Sequence, residues 1–251
     1  NATINASYTY ETTEVSIDGG VLRATPTATK YTLSTETKLP KTGMMIVGWG
    51  GNNGTTVTGG IIANKLGMSW RTRTGVQKAN YYGSITQAST IRLGHAAGRD
   101  VYVPFTSMLP MVKPEDLVIG GWDISSANMR ESMERAAVLD IALQDQLAPH
   151  MEKLTPLPSI YYPDFIAANQ SDRADHLLPT SHLPSGAVDK WAHVEAIRAQ
   201  IREFKESNGL DKVVILWSAN TERFSDVKDE LSGTAEALLA SIKGGAEEVS
   251  P

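Results

Sequence analysis

Met44-Met45-Ile46-Val47-Gly48-Trp49-Gly50-Gly51-Asn52-Asn53-Gly54-Thr55-Thr56 decides the reading of the chain. Four consecutive apolar residues, Met44 to Val47, fit a short strand buried on both faces. A glycine-rich loop follows, and Thr55 to Leu66 has helix length. Gly48, Gly50 and Gly54 make G-x-G-x-x-x-G, one residue longer than the usual dinucleotide fingerprint. Glycines let the backbone turn sharply and approach a pyrophosphate. The helix beyond them offers free N–H groups and the positive end of its dipole. An ordinary strand-to-helix turn would also use glycine. The strand–loop–helix context favours a nucleotide, and a Walker loop is excluded because no Lys-Ser/Thr follows a G-x-x-x-x-G spacing.

Outward from this loop the chain alternates strands and helices. Asp116 to Asp123 (DLVIGGWD) reads as a second buried strand entering a helix around Ala127 to Leu139, and Ser159 to Tyr162 as a third strand stopped by Pro163. Trp191, Val194, Ile197, Ile201 and Phe204 recur at 3, 3, 4 and 3, the stripe of an amphipathic helix expected to be core. Lys212 to Trp217 (KVVILW) is a strand, and Leu231, Ala235, Leu238 and Ile242 mark a further helix. The expected fold class is α/β: a Rossmann-like, mostly parallel sheet with helices on both faces. Residues 1–42, with 11 threonines, form a short β-rich lead-in that turns at Asp18-Gly19-Gly20, and 43–251 form the nucleotide-binding domain. Two stretches lack periodicity. Residues 70–110 are long for a structureless connection, so function or further structure is expected there, and Leu177 to Ala187 reads as a surface loop.

Composition sets the outer limits. A 251-residue chain buries roughly 70–75% of its unfolded surface and needs no disulfide or metal to hold a core. Lys+Arg 23 against Asp+Glu 28 gives a net charge of −5, which argues against nucleic-acid or anionic-membrane partners. No cysteine is present, which removes disulfide scaffolds, thiolate zinc sites and cysteine nucleophiles together. No apolar run reaches 18 residues, so no transmembrane helix is expected. The five histidines are scattered without metal-ligand spacing, so no metal site is expected.

In a Rossmann fold an acid about 20 residues beyond the glycines grips the adenosine ribose. Arg71 and Arg73 stand near that distance instead, which by itself points to a 2′-phosphate and an NADP-linked reductase. Asp123 is the better acid, because ligands of open parallel sheets sit beyond the carboxyl ends of the strands. Asp123 or Ser125 could equally cap the following helix. Ser218 to Arg223, at the end of KVVILW, could serve a ribose or nicotinamide amide or be a capped turn, and Phe165 to Arg173 is a similar polar loop.

The wording of these loops carries more than their spacing. GWGGNNGTTVTGGIIANK (48–65), ANYYGSITQAST (79–90), GGWDIS (120–125), FIAANQSDRAD (165–175) and KVVILWSANTERF (212–224) together strongly resemble the eukaryotic-type myo-inositol-1-phosphate synthase family. The resemblance runs from about Tyr8 to Pro251, with 176–190 as a variable insertion. It implies a cytoplasmic, NAD-dependent isomerase of inositol and phospholipid biosynthesis. Such an enzyme converts D-glucose 6-phosphate to 1D-myo-inositol 3-phosphate by internal oxidation, aldol cyclisation and reduction, as a homo-oligomer (a tetramer when complete). Carried onto this sequence, the resemblance implies that Gly50, Gly51, Asn52 and Asn53 hold the pyrophosphate and Asp123 the adenosine ribose. Ser159, Ile160, Gln170 and Arg173 would surround the nucleotide. Ser218, Ala219, Asn220 and Thr221 would form the next binding segment, with Ser218 where threonine is more usual. It also resolves the cofactor as NAD. Family members are about twice as long, and their catalytic lysines, substrate-phosphate contacts and oligomer contacts lie in sequence expected after Pro251. No catalytic residue is therefore assigned here, and the chain is expected to be the N-terminal, NAD-binding portion, inactive by itself. The alternatives are a non-enzymatic NAD-binding or oligomerisation module and the NADP-linked reductase.

Overall fold

The computed structural model describes residues 2–219, 222–224 and 226–250. Along the chain the elements are β1 (Thr3–Asp18), β2 (Val21–Glu36), β3 (Thr42–Val47), α1 (Asn52–Lys65), β4 (Ser69–Thr72), β5 (Gly75–Lys78), α2 (Ile85–Ala88), β6 (Thr90–Ala96) and β7 (Arg99–Pro104). Then follow β8 (Val118–Asp123), α3 (Met129–Ala136), α4 (Ile141–Met151), β9 (Leu157–Pro158), α5 (Lys190–Ser207), β10 (Lys212–Trp217), α6 (Asp229–Ser232) and α7 (Ala235–Lys243). They divide into two compact units, Asn1–Leu39 with Gly83–Met111, and Pro40–Tyr82 with Val112–Pro251. The lead-in expected over 1–42 therefore ends earlier, because Thr42 already pairs with Lys212 as the first residue of β3. Residues 83–111 cluster with the N-terminal strands rather than with the nucleotide-binding domain.

The first unit is built from hairpins. Strands β1 and β2 pair antiparallel from Thr3↔Glu36 to Asp18↔Val21, and the turn places Gly19 at φ 56° and Gly20 at φ 80°. Two successive positive φ angles suit glycine and give a turn whose twist matches the strands. Strands β6 and β7 form a second hairpin, with a register shift between Arg92 and Gly94.

The second unit holds a four-stranded, wholly parallel sheet in the order β10-β3-β8-β9. Its two faces are built differently. Met44 and Ile46 point into a core with Ile61 of α1, Met129 and Met133 of α3, and Leu143, Leu147 and Met151 of α4. On the opposite face the sheet is bare at Gly43 and Gly120, and the Phe204 ring of α5 fills both places. A Cβ built on either glycine would stand 2.8 Å from that ring. On the same face Trp122 is buried and donates its indole N–H to Gln200 Oε1 of α5 at 2.7 Å. Helices thus cover both faces, as expected of an α/β sheet. Among the described residues no helix is long and apolar enough to cross a membrane.

Several expectations need correction. The unpatterned stretch 70–110 contains the hairpins β4–β5 and β6–β7. Beyond β9, Ser159 makes only an isolated bridge to Leu177, because its N–H and carbonyl are taken by His176 O and Leu178 N of the returning loop. The helix expected over 127–139 stops at Ala136, where Ala137 adopts φ 50°, and α4 follows as a separate helix. The helix through Leu231 to Ile242 divides into α6 and α7 around Gly233. The strand expected over Lys212 to Trp217 is present as β10; it is an edge strand, and Val214 to Trp217 are exposed.

The tightest contact in the sheet lies at Gly121, where an added Cβ would meet the Ile46 carbonyl oxygen at 2.2 Å. Backbone cannot move aside as a side chain can, so we expect Gly121→Ala to cost about 1–3 kcal/mol or more in urea unfolding. Gly60 of α1 has open space around its Cβ position. Gly60→Ala should instead stabilise by about 0.5–1 kcal/mol.

Candidate functional site

The carboxyl ends of β3, β8 and β10 meet the helix side of the sheet at a cleft of ≈ 380 Å³. One wall is the loop between β3 and α1. Gly48 (φ 80°) turns this loop, and the N–H groups of Gly48 and Trp49 both donate to Trp122 O at 2.9 Å. A Cβ on Gly48 would lie 2.9 Å from Ala219 Cα, so the loop can pass the end of β10 only as glycine. The buried Trp49 indole donates to Thr58 Oγ1 at 2.9 Å and ties the loop to the second turn of α1. Gly51 is the N-cap of that helix and supplies no side chain. Among the described residues the Asn52, Asn53 and Gly54 amides meet no acceptor, as first-turn amides lacking a capping side chain must.

Asp123, the last residue of β8, is buried at the floor of the site. Its Oδ1 accepts from the Ser125 N–H at 3.0 Å and from Arg173 Nη2 at 3.2 Å. Gly50 presses on it from above: a Cβ there would stand 2.9 Å from Asp123 Oδ2 and 3.0 Å from Ser132 Oγ. The helix after β8 is capped by Asn128, whose side chain and Glu131 form a reciprocal capping box, so neither Asp123 nor Ser125 is the cap. Asp123 is left free for a ligand.

Arg173 arrives on a loop fastened to the end of β8. Asp175 accepts from Ser126 N–H at 2.8 Å and Ser126 Oγ at 2.9 Å, while His176 N–H donates to Ile124 O. Those two Ser126 donors hold the Asp175 carboxyl below its ordinary range. Gln170 accepts from Arg173 Nη1 at 3.3 Å and donates its own N–H to the Tyr161 hydroxyl at 3.0 Å.

Of the residues singled out from the sequence, Gly51, Asp123, Ser159, Ile160, Gln170, Arg173, Ser218 and Ala219 line this one cleft. Gly50 lies behind it against Asp123, and Asn52 and Asn53 are exposed at the start of α1. Asn220 and Thr221 lie outside the described residues. Arg71 and Arg73, on and beside β4, are not among the lining residues. Sequence reading missed the apolar wall. Val194 and Ile197 of α5, with Tyr161, Ile166 and Trp217, line the cleft, so the α5 stripe is shared between core and site. A 3.6-residue period marks an apolar face without saying whether protein or ligand covers it. Among the described residues no group of three or more His, Asp or Glu could hold a metal.

The site fits a dinucleotide on its own chemistry. Among the described residues Arg173 Nε and Ser218 Oγ, both in cleft-lining residues, are buried and have no partner. Buried donors of this kind call for a bound acceptor. The open amides of α1 suit a diphosphate, and the free Asp123 Oδ2 suits a ribose hydroxyl.

Known proteins resemble the chain along its length. An NAD-binding family model described as Myo-inositol-1-phosphate synthase matches residues 42–251. The chain is 55% identical over 250 residues to inositol-3-phosphate synthase 1 of Bos taurus, covering 99% of this chain and 43% of that protein. It is 52% identical over 252 residues to inositol-3-phosphate synthase isozyme 2 of Arabidopsis thaliana, covering 99% of this chain and 48% of that one. The crystal structure of inositol-3-phosphate synthase from Caenorhabditis elegans superposes with a TM-score of 0.89 at 44% identity, over 99% of this chain and 48% of its own. The chain thus spans somewhat less than half the length of these relatives.

Removing the guanidinium from Arg173 leaves the Asp123 carboxylate with the Ser125 amide as its remaining charge-stabilising partner. We expect Arg173→Met to cost about 1–3 kcal/mol in urea unfolding, below the full cost of breaking a buried pair because the Arg173 end is partly exposed. Combining it with Asp123→Asn should cost less than the sum of the two single changes, and strict additivity would show that the pair is not coupled.

Proposed function

The chain belongs to the myo-inositol-1-phosphate synthase family, and on that premise we propose that it is the NAD-binding portion of an enzyme converting D-glucose 6-phosphate to 1D-myo-inositol 3-phosphate. The observation that carries this reading is the convergence in one cleft of the glycine loop, the buried Asp123 and the orphaned Arg173 Nε and Ser218 Oγ.

Placement in the cleft and family membership support the following roles. The first-turn amides of α1, at Asn52 and Asn53, with the Gly50–Gly51 backbone, receive the pyrophosphate. Asp123 Oδ2 accepts from the adenosine ribose, its Oδ1 being already engaged by Ser125 and Arg173. Ser159, Ile160, Gln170 and Arg173 form the wall beside the adenosine, and Arg173 Nε donates to the cofactor. Ser218 and Ala219, with Asn220 and Thr221 after them, receive the nicotinamide half from the end of β10. Val194, Ile197 and Trp217 exclude water along the apolar side of the cleft.

NAD, when bound, supplies reversible hydride transfer, which makes protons next to the oxidised sugar carbon acidic. The residues here bind and orient, and the chain's part in the reaction is to retain the cofactor. Glucose 6-phosphate as substrate, assembly as a homotetramer and a cytoplasmic location complete the reading; family membership supports all three. An acidic residue at the ribose position, with Arg71 and Arg73 away from the cleft, favours NAD over NADP.

A nicotinamide-fluorescence titration of the 251-residue chain tests this. We expect saturable binding of NADH and at least ten-fold weaker binding of NADPH, because a 2′-phosphate would be forced against the Asp123 carboxylate. Asp123→Ala should weaken NADH while narrowing that ratio. Tighter binding of NADPH than NADH would refute the reading. Incubation of the chain with glucose 6-phosphate and NAD⁺ should give no inositol phosphate, and product formation would refute the assignment of catalysis to sequence outside these residues.

A further inference from the structure

The glycine loop is held by a residue with no place in the cleft. Arg135, in the last turn of α3, extends its guanidinium to the β3–α1 loop and donates from Nη2 to the Gly50 carbonyl at 2.6 Å. One helical turn earlier Ser132 Oγ is buried, unpartnered, and directed at the same glycine. Helix α3 therefore presents an i, i+3 pair to Gly50, and its register is fixed at both ends. The Asn128/Glu131 capping box sets the start, and the left-handed Ala137 ends the helix two residues after Arg135.

The Gly50 carbonyl matters because of what it could otherwise do. Gly51 caps α1 without a side chain, so the first-turn amides have no local acceptor. The carbonyl of Gly50 lies one residue before the cap, in sequence reach of the Gly54 amide by the ordinary four-residue helical bond. A loop relaxed in that way would satisfy its own helix and withdraw an amide from any anion. With Arg135 engaged, the Gly50 oxygen makes no bond to Gly54.

We propose that Arg135 is the positioning residue of the glycine loop: by holding the Gly50 carbonyl it keeps the Gly54 amide open for the pyrophosphate, beside those of Asn52 and Asn53. The assignment deepens the NAD-binding reading above and rests on it for the identity of the anion. Arg135 contacts the loop and not the cleft, so it acts through Gly50 and touches no cofactor itself. Partial burial, with the Arg173 guanidinium nearby, pushes Arg135 below its ordinary range.

The test compares Arg135→Met, which keeps the side-chain stem and removes the donor, with Arg135→Lys, which can return one donor. Amide hydrogen exchange is read in the free protein over 48–55 and over α3, and NADH binding is titrated with ADP and adenosine as competitors. In Arg135→Met we expect exchange over 48–55 to rise at least ten-fold while α3 keeps its protection. NADH and ADP should weaken at least ten-fold and adenosine should change by less than two-fold. Arg135→Lys should fall between wild type and Arg135→Met. Unchanged loop exchange in Arg135→Met overturns the proposal. Equal loss of protection in α3 overturns it as well, since Arg135 would then be holding its own helix. If wild-type protein fails to bind NADH, the NAD reading fails, while loop exchange still decides whether Arg135 positions Gly50.

Discussion

A carboxylate removed from water has to be paired and hydrogen-bonded, and Asp123 imposes that requirement on three separate segments. Asp123 is 3% exposed at the end of the middle strand β8. The turn after that strand supplies the Ser125 amide, the 170–176 loop supplies Arg173, and the β3–α1 loop closes over it through Gly50. Each segment is itself fastened: Ser126 to Asp175, Trp49 to Thr58, and Gly50 to Arg135. Ser125 and Arg173 satisfy Oδ1 of Asp123, and among the described residues Oδ2 accepts no hydrogen bond.

Side-chain size on the sheet makes the closure geometrically possible. Phe204 can reach both β3 and β8 because Gly43 and Gly120 present no side chain on the α5 face. On the other face Gly121 lets the Ile46 backbone and Trp49 approach within contact distance, which draws the glycine loop down over the strand ends. The larger apolar residues Met44 and Ile46 face α1, α3 and α4, so those helices have a conventional core while α5 sits close to bare backbone. Space left between α5 and the strand ends becomes the apolar side of the cleft, lined by Val194 and Ile197.

What the sequence made legible was periodic or compositional. KVVILW occupies strand β10 from Lys212 to Trp217, and the stripe from Trp191 to Phe204 falls within α5. Asp123 could be placed at a strand end because β8 could be delimited by its own apolar run. Residues 70–110 defied a period reading because the hairpins there are short and mostly exposed, so neither face imposes alternation. Helix α4 carries Pro149 two residues before its last residue, Met151, where loss of a single N–H bond is tolerated. Arg135 gave no signal at all: an arginine in the last turn of a helix is also what the helix dipole favours, so its reach to Gly50 is visible only in three dimensions.

The same group of charges explains how an acidic chain suits a dianionic cofactor. A net charge of −5 would repel a pyrophosphate if all charges acted equally. At physiological ionic strength the field of an exposed charge falls off over about 8 Å, so groups at the site outweigh the total. There, Arg135 and Arg173 stand against the one buried carboxylate of Asp123, beside the positive end of α1. Their guanidiniums oppose one another, and Arg135 is lowered partly by its neighbour for that reason. Asp123 offsets part of this repulsion from below, and a pyrophosphate at the first-turn amides of α1 would offset more from above. Cofactor binding and the folding of this edge of the sheet are thus coupled through one electrostatic group. Relaxation of the glycine loop is restrained by the same arginine that a bound diphosphate would stabilise.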